Sequence, residues 1–209
     1  MMSNAQHVYS SAEVRQNSVR AFKRSVILDA AQRVLERDGI EGATVRAIAK
    51  EAGYTPGALY AYYTNKDNIL AELLCQSLSR AARAVRSLLE SSESLPPSAV
   101  DLASMFTSYY RQEPAEFDLM LTVLQSRRIH NLSTGTSRSL NGRLIAALAP
   151  IAGSLEAISH WESVPASEAT LQAVGMGLGI LLLENSSRLS ALGMDGAALL
   201  ASGSATLFS

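Results

Sequence analysis

Thr44 to Lys66, TVRAIAKEAGYTPGALYAYYTNK, reads as two short helices separated by a turn, followed by the start of a longer third. Val45, Ile48, Ala49 and Ala52 recur at i, i+3, i+4 and i+7, the spacing that gathers side chains on one face of an α-helix, with Arg46, Lys50 and Glu51 off that face. Thr44 stands where an N-cap belongs, its hydroxyl placed to accept from an amide the helix leaves unpaired. Gly53 falls where the chain must turn left-handed to leave one helix and enter the next. Thr55-Pro56 then opens a second helix, a capping hydroxyl followed by proline at the first helical position, where a missing N–H costs nothing.

Leu59 and Tyr63 lie one turn apart and are expected to face inward, which turns Gly57, Tyr60 and Ala61 outward. A short helix that presents small residues beside a phenol suits the DNA major groove. That groove is only about 12 Å wide, and bulky residues at the leading end would hold the backbone away from the base edges.

Residues 52–70, AGYTPGALYAYYTNKDNIL, resemble the DNA-binding signature of the tetracycline-repressor (TetR) family. The match runs through Ala52, Gly53, Gly57, Leu59, Tyr60, Tyr62, Lys66 and Leu70, and upstream through Gly39, Thr44, Ile48 and Ala49, about a quarter of the chain. Tyr54 departs from a small aliphatic, Ala58 from a hydroxyl residue that often touches phosphate, and Tyr63 from Phe. The resemblance implies an all-α chain with a three-helix helix-turn-helix head followed by a helical effector-binding and dimerisation domain. It implies a homodimeric, ligand-responsive regulator, a repressor that binds double-stranded DNA at a palindromic operator and is released by a small, largely apolar effector. Thr44, Arg46, Tyr60, Tyr62 and Lys66 are expected to hold phosphates, while Tyr54, Thr55, Pro56, Gly57, Ala58 and Ala61 approach bases. So few hydrogen-bonding side chains at the bases point to readout through thymine methyls, water and DNA shape.

Composition agrees with this division. The chain has 209 residues, 47% hydrophobic and 18% charged, enough to bury a core and too apolar for wholesale disorder. The net charge of −1 conceals an asymmetry: residues 1–70 carry a net +2 and residues 71–209 a net −3, and all three lysines lie in the first part. Cys75 is the lone cysteine, which excludes an intrachain disulfide and suits a reducing, cytoplasmic setting. The opening MMSNAQHVYSSAEVR lacks the order of a signal peptide. The most apolar run, Ala173 to Leu183, is about eleven residues long against the roughly 20 a bilayer needs, so no membrane partner is expected.

In chain order, residues 1–20 read as a flexible arm, 21–66 as the head and 67–209 as the helical body. Arg15, Arg20, Lys23 and Arg24 could reach a minor groove from the arm, or simply be solvated. A helix from about Phe22 buries Ile27, Ala30, Ala31, Val34 and Leu35 and ends at Gly39 in a Schellman turn. Thr64-Asn65 caps a longer helix, periodic from Leu70 to Leu89, that begins in the head and ends in the body. Helices are then expected at Val100–Arg111, Glu116–Ile129, Leu140–Trp161 with a bend near Pro150, Ser167–Leu192 and Asp195–Leu207. No segment alternates with period two.

Met105, Phe106, Tyr109, Phe117, Met120 and Leu124 concentrate aromatic and flexible side chains on neighbouring helices of the body. Plain core is the base expectation. The family's effector cavity lies among such helices, so these six, with Arg127 and Trp161, are the expected ligand contacts. The family's last two long helices form a four-helix bundle with those of the partner, which assigns Leu171, Gly175, Leu178, Gly179 and Leu182 to a dimer contact. Intrachain packing is the alternative for these glycines. His7, His130 and His160 have no metal-ligand spacing, and no HExxH, CxxC or G-x-S-x-G occurs, so neither metal, cofactor nor catalysis is expected. Two other readings remain: a head that docks another regulator rather than DNA, and a helical enzyme using a body cavity. Steep weakening with salt marks phosphate contacts and separates DNA binding from apolar docking.

Overall fold

A computed structural model describes residues 11–91, 97–125, 132–157 and 165–207. The described residues form helices without a strand: α1 (Ser11–Gly42), α2 (Val45–Ala52), α3 (Pro56–Leu59), α4 (Lys66–Ser91), α5 (Ala99–Gln112), α6 (Pro114–Gln125), α7 (Thr134–Glu156), α8 (Ala166–Asn185), α9 (Arg188–Ala191) and α10 (Gly196–Leu207). They divide into two compact units, Met1–Leu73 and Leu74–Ser209. The break lies seven residues beyond the expected boundary at Lys66, because Ile69, Leu70 and Leu73 of the opening turns of α4 are buried with the head.

In the first unit α1 starts at Ser11, well before Phe22, so the described part of the expected arm is helix. Residues 13–22 are exposed throughout, so they carry no apolar stripe to betray the helix. The stretch has no Gly or Pro and prolongs a helix already nucleated by the buried stripe that follows it. The five stripe residues Ile27, Ala30, Ala31, Val34 and Leu35 are wholly buried. Gly39 breaks α1 at φ 68° and ψ −176°. That conformation lies outside the left-handed helical well of a Schellman turn and is nearly restricted to glycine. The Schellman geometry sits instead at Gly53 (φ 73°, ψ 27°), where the Gly53 amide donates to Lys50 O at 3.2 Å and that of Tyr54 to Ala49 O at 2.8 Å.

In the second unit α5, α7 and α10 all pack on α8. A capping box between Ser98 and Asp101 starts α5, a signal the sequence reading passed over. Helix α7 runs unbroken through Pro150. The carbonyl that proline leaves without a helical partner, that of Ala146, accepts from Arg86 Nη2 at a long 3.5 Å. Helix α8 stops at Asn185 rather than Leu192, and Ser187 takes φ 58°. Asn185, Ser186 and Ser187 favour this stop because short polar side chains compete for the backbone, as the Ser186 hydroxyl does on Leu183 O at 3.2 Å.

By length and composition alone α8, with 20 residues, is long and apolar enough to cross a membrane, more than the eleven-residue apolar run within it suggests. Its Ala173, Val174, Gly177 and Leu181 are buried within the body, as a core helix requires. A Cβ on Gly177 would lie 2.4 Å from Oγ1 of Thr107, which is itself buried and bonded to Ala103 O at 3.0 Å. Gly177 is therefore where α8 and α5 cross closely, while Gly175 and Gly179 face open space. Gly177→Ala is expected to destabilise folding by about 1–3 kcal/mol through overpacking. Gly142→Ala in α7, where an added Cβ meets nothing within 4 Å, should leave the urea midpoint unchanged or slightly raised, and equal effects at the two sites would contradict this crossing.

Candidate nucleic-acid interface

The head builds a small exposed platform from two capped helices. Thr44 Oγ1 accepts from the Ala47 amide at 3.1 Å and Thr55 Oγ1 from that of Ala58 at 3.2 Å, each satisfying an amide its helix leaves open. Asn65 Oδ1 does the same for Asn68 at the start of α4. Leu59 and Tyr63 are buried, and their burial against the core sets the outward face of α3. Thr55, Pro56, Gly57, Tyr60 and Ala61 are exposed on it, and Ala58, Tyr54 and Tyr62 are half-buried at its edge. The rings of Tyr54 and Tyr62 lie 6.4 Å apart, tilted by 56°, so these two phenols brace one another.

Of the residues expected at phosphates, Thr44 and Arg46 are exposed beside this platform. Lys66 is half-buried, with Nζ 3.4 Å from Ile40 O. Arg20 and Arg24, grouped by sequence with the arm, are turned toward the protein: Arg20 Nη2 donates to Ala61 O at 3.2 Å and Arg24 Nη1 to Tyr62 O at 2.7 Å.

Sequence reading missed the ionic clamps. Arg33 and Arg37, one turn apart on α1, both bind Glu51 of α2, at 2.8 and 3.0 Å. Those bonds, that from Arg33 first, hold the Glu51 carboxyl below the usual carboxylate range. The i, i+4 spacing of the arginines was a signal, but nothing local named their distant partner. A second clamp joins Arg24 to Glu72 and Tyr63, whose hydroxyl donates to Glu72 Oε2 at 2.9 Å. Burial, then the Glu72 charge, raise the Tyr63 phenol above its ordinary range, so it stays a neutral donor.

In the body, Phe106, Phe117 and Met120 are buried, Met105 and Tyr109 half-buried, and Leu124 is 43% exposed. Arg127 and Trp161 lie outside the described residues. Tyr110 contacts Phe106, Tyr109 and Phe117, with centroids 5.3, 5.2 and 6.4 Å away, the pattern of an aromatic core. Glu116, also buried, pairs with Arg80 and accepts from the Tyr109 hydroxyl at 2.5 Å. Burial pushes the neighbouring Tyr110 hydroxyl up to about 12. Two cavities lie elsewhere. One of about 520 Å³ between α7 and α8 is lined by Leu144, Leu148, Ala152 and Leu171, and one of about 650 Å³ along α7 by Ser137, Arg138 and Asn141. Among the described residues, none of those expected to bind an effector lines either cavity.

Leu171, Gly175, Gly179 and Leu182 share one exposed face of α8, with Leu178 half-buried beside them. Leu171 is 60% and Leu182 42% exposed. No group of three or more acidic, histidine or cysteine side chains able to hold a metal occurs among the described residues.

Residues 27–73 match the family model for bacterial regulatory proteins of the tetR family. The chain is 32% identical over 84 residues to the nicotine-responsive transcriptional repressor HdnoR of Paenarthrobacter nicotinovorans, covering 40% of this chain and 43% of that repressor. It thus spans less than half the length of that relative. Among solved structures, it is similar in fold to a putative TetR-family transcriptional regulator from Rhodococcus sp., with a TM-score of 0.61 at 22% identity over 90% of this chain and 99% of that one. It is similar also to the regulator FadR of Bacillus subtilis in complex with stearoyl-CoA, with a TM-score of 0.61 at 21% identity over 88% and 97% of the two chains.

Proposed function

From a chain whose head, residues 27–73, belongs to the tetR family of bacterial regulatory proteins, we propose a dimeric transcriptional repressor that binds a palindromic operator and leaves it when a small, largely apolar effector binds the body. The observation that carries this reading is the exposed face of α3, with Gly57 and Ala61 open to solvent above a buried Leu59 and Tyr63. Such a face lets backbone approach base edges. Thr44, Arg46, Tyr60, Tyr62 and Lys66 orient it on phosphates, with Lys66 exchanging its bond to the Ile40 carbonyl for one to DNA. Tyr54, Thr55, Pro56, Gly57, Ala58 and Ala61 meet the bases.

Leu171, Gly175, Leu178, Gly179 and Leu182 form the contact with a second subunit, whose head occupies the next major groove about 34–36 Å away. The apolar face left bare on α8 supports this assignment, because two such faces bury one another. Met105, Phe106, Tyr109, Phe117, Met120 and Leu124, with Arg127 and Trp161, are the proposed effector contacts. FadR, similar in fold, holds stearoyl-CoA, which supports an effector with a large apolar part. Because α4 is one helix running from the first unit into the second, it is the element through which an effector acts on the head. A tenfold loss of DNA affinity requires about 1.4 kcal/mol of preference for the released state. Repression of bacterial genes places the protein in the cytoplasm, with the chromosome.

Titration of the protein into duplex DNA at rising salt tests the reading. Affinity is expected to fall steeply, with a slope of about 0.9 per phosphate neutralised on a logarithmic plot. A salt-insensitive interaction would favour docking through apolar helix faces instead.

A further inference from the structure

Helix α3 is a single turn, far below the length at which a helix holds itself, so its orientation must come from neighbours. Its N-terminal amides are met locally by Thr55. The carbonyls just past its other end are met from afar, since Arg20 and Arg24 of α1 donate to Ala61 O and Tyr62 O. Arg24 is held in turn. Its guanidinium carbon stands 4.2 Å from the Tyr63 ring centroid and its second terminal nitrogen pairs with Glu72 Oε1. The other carboxylate oxygen of Glu72 accepts the Tyr63 hydroxyl at 2.9 Å. One carboxylate on the second turn of α4 thereby joins α1, α4 and the turn that ends α3.

We propose that Glu72 is the positioning residue of the recognition helix, fixing α3 to α1 and α4 through Arg24 and Tyr63 without itself touching DNA. The proposal rests on the DNA-binding reading and adds to it the group that sets the angle of the inserted helix. With Glu72 in place the guanidinium is spent on the protein: one nitrogen binds a carbonyl, another a carboxylate, and its face lies over a ring. Without it Arg24 loses its anchor on α4, and α3 gains freedom that must be lost again on docking. The Tyr63 hydroxyl, which phenylalanine would lack, serves as the carboxylate's second hold.

The test compares wild type, Glu72→Gln and Tyr63→Phe, each as full chain, on a duplex selected from random sequence by the wild type and on an unrelated duplex. Glu72→Gln removes one negative charge and so strengthens non-specific attraction to phosphate, which makes the ratio of the two affinities the readout. That ratio is expected to fall about tenfold in Glu72→Gln and about threefold in Tyr63→Phe, whose charge is unchanged. The double variant should be no worse than Glu72→Gln, because both act through one network. The salt slope should stay that of wild type in Tyr63→Phe, since no phosphate contact is lost.

A purely structural role would lower the melting temperature yet leave the ratio untouched wherever the variants are folded, and that result overturns the proposal. Should Glu72→Gln fail to fold, Tyr63→Phe decides alone. A wild type that selects no duplex refutes the DNA-binding reading and this proposal with it, whereas wild-type selectivity in folded variants refutes only the proposal.

Discussion

A glutamate in place of Leu182 is expected to turn the proposed dimer into monomers and to weaken binding to a two-half-site duplex by about a hundredfold or more. Leu182 is already 42% exposed, and it shares its face of α8 with the 60% exposed Leu171. A charge there disturbs little inside the subunit, where exposed substitutions stay within about 0.5 kcal/mol. Against a second copy of the same face it is costly, because an isotropic loss of water around two unpaired carboxylates has no compensation. DNA affinity then suffers without any change in the head. Two linked heads bind a double site with an effective concentration that separate heads lack, and that advantage disappears with the dimer. Sedimentation shows the mass and duplex titration the affinity. A Leu182→Glu protein of wild-type mass would place the dimer contact elsewhere, and a monomer with undiminished affinity would remove the dimer from the mechanism.

The second large effect is expected at Gly57. It stands on the exposed face of α3, and a Cβ built there meets no atom within 4 Å. Its φ is not one that side chains avoid, unlike that of Gly53 at 73°. Gly57→Trp is therefore expected to leave the melting temperature nearly unchanged, since nothing in the protein is displaced. Affinity for the selected duplex should fall by about a hundredfold, as if roughly two base pairs were mismatched at about 1–3 kcal/mol each. The bulk holds α3 off the base edges. Thermal unfolding and duplex titration of the same preparation separate the effects, and a folded Gly57→Trp with wild-type affinity would show that this face does not enter the groove.

The ends of α2 and α3 and the buried stripe of α1 are legible in the sequence because short-range rules govern them. Thr44, Gly53, Thr55 and Pro56 announce helix ends through caps and turn geometry that need only a few neighbouring residues, and the five-residue stripe of α1 follows from periodicity. The exposed N-terminal turns of α1 have no stripe, so their helix went unseen. Pro150 looked like a bend because a proline's missing N–H is a local fact, whereas the arginine that meets the freed carbonyl of Ala146 comes from position 86. Glu72 and Glu51 show the same limit more sharply. Each is an unremarkable acid in its own helix, and each gains its role from arginines 48 and 14 to 18 positions away. In the body the aromatic residues were visible as a cluster. What composition leaves out is the crossing of α5 and α8 at Gly177 and Thr107, and the cavities along α7, which arise only once helices from distant parts of the chain are packed.

Paired copies of α3 that enter successive major grooves of one duplex dictate the symmetry of the DNA they bind. Wild-type protein selecting from random duplex DNA, followed by sequencing of the bound pool, is expected to yield an inverted repeat whose half-site centres stand about 10 base pairs apart, or a multiple of one helical turn. Enrichment of a single unrepeated site, or no enrichment above the starting pool, would rule out paired insertion.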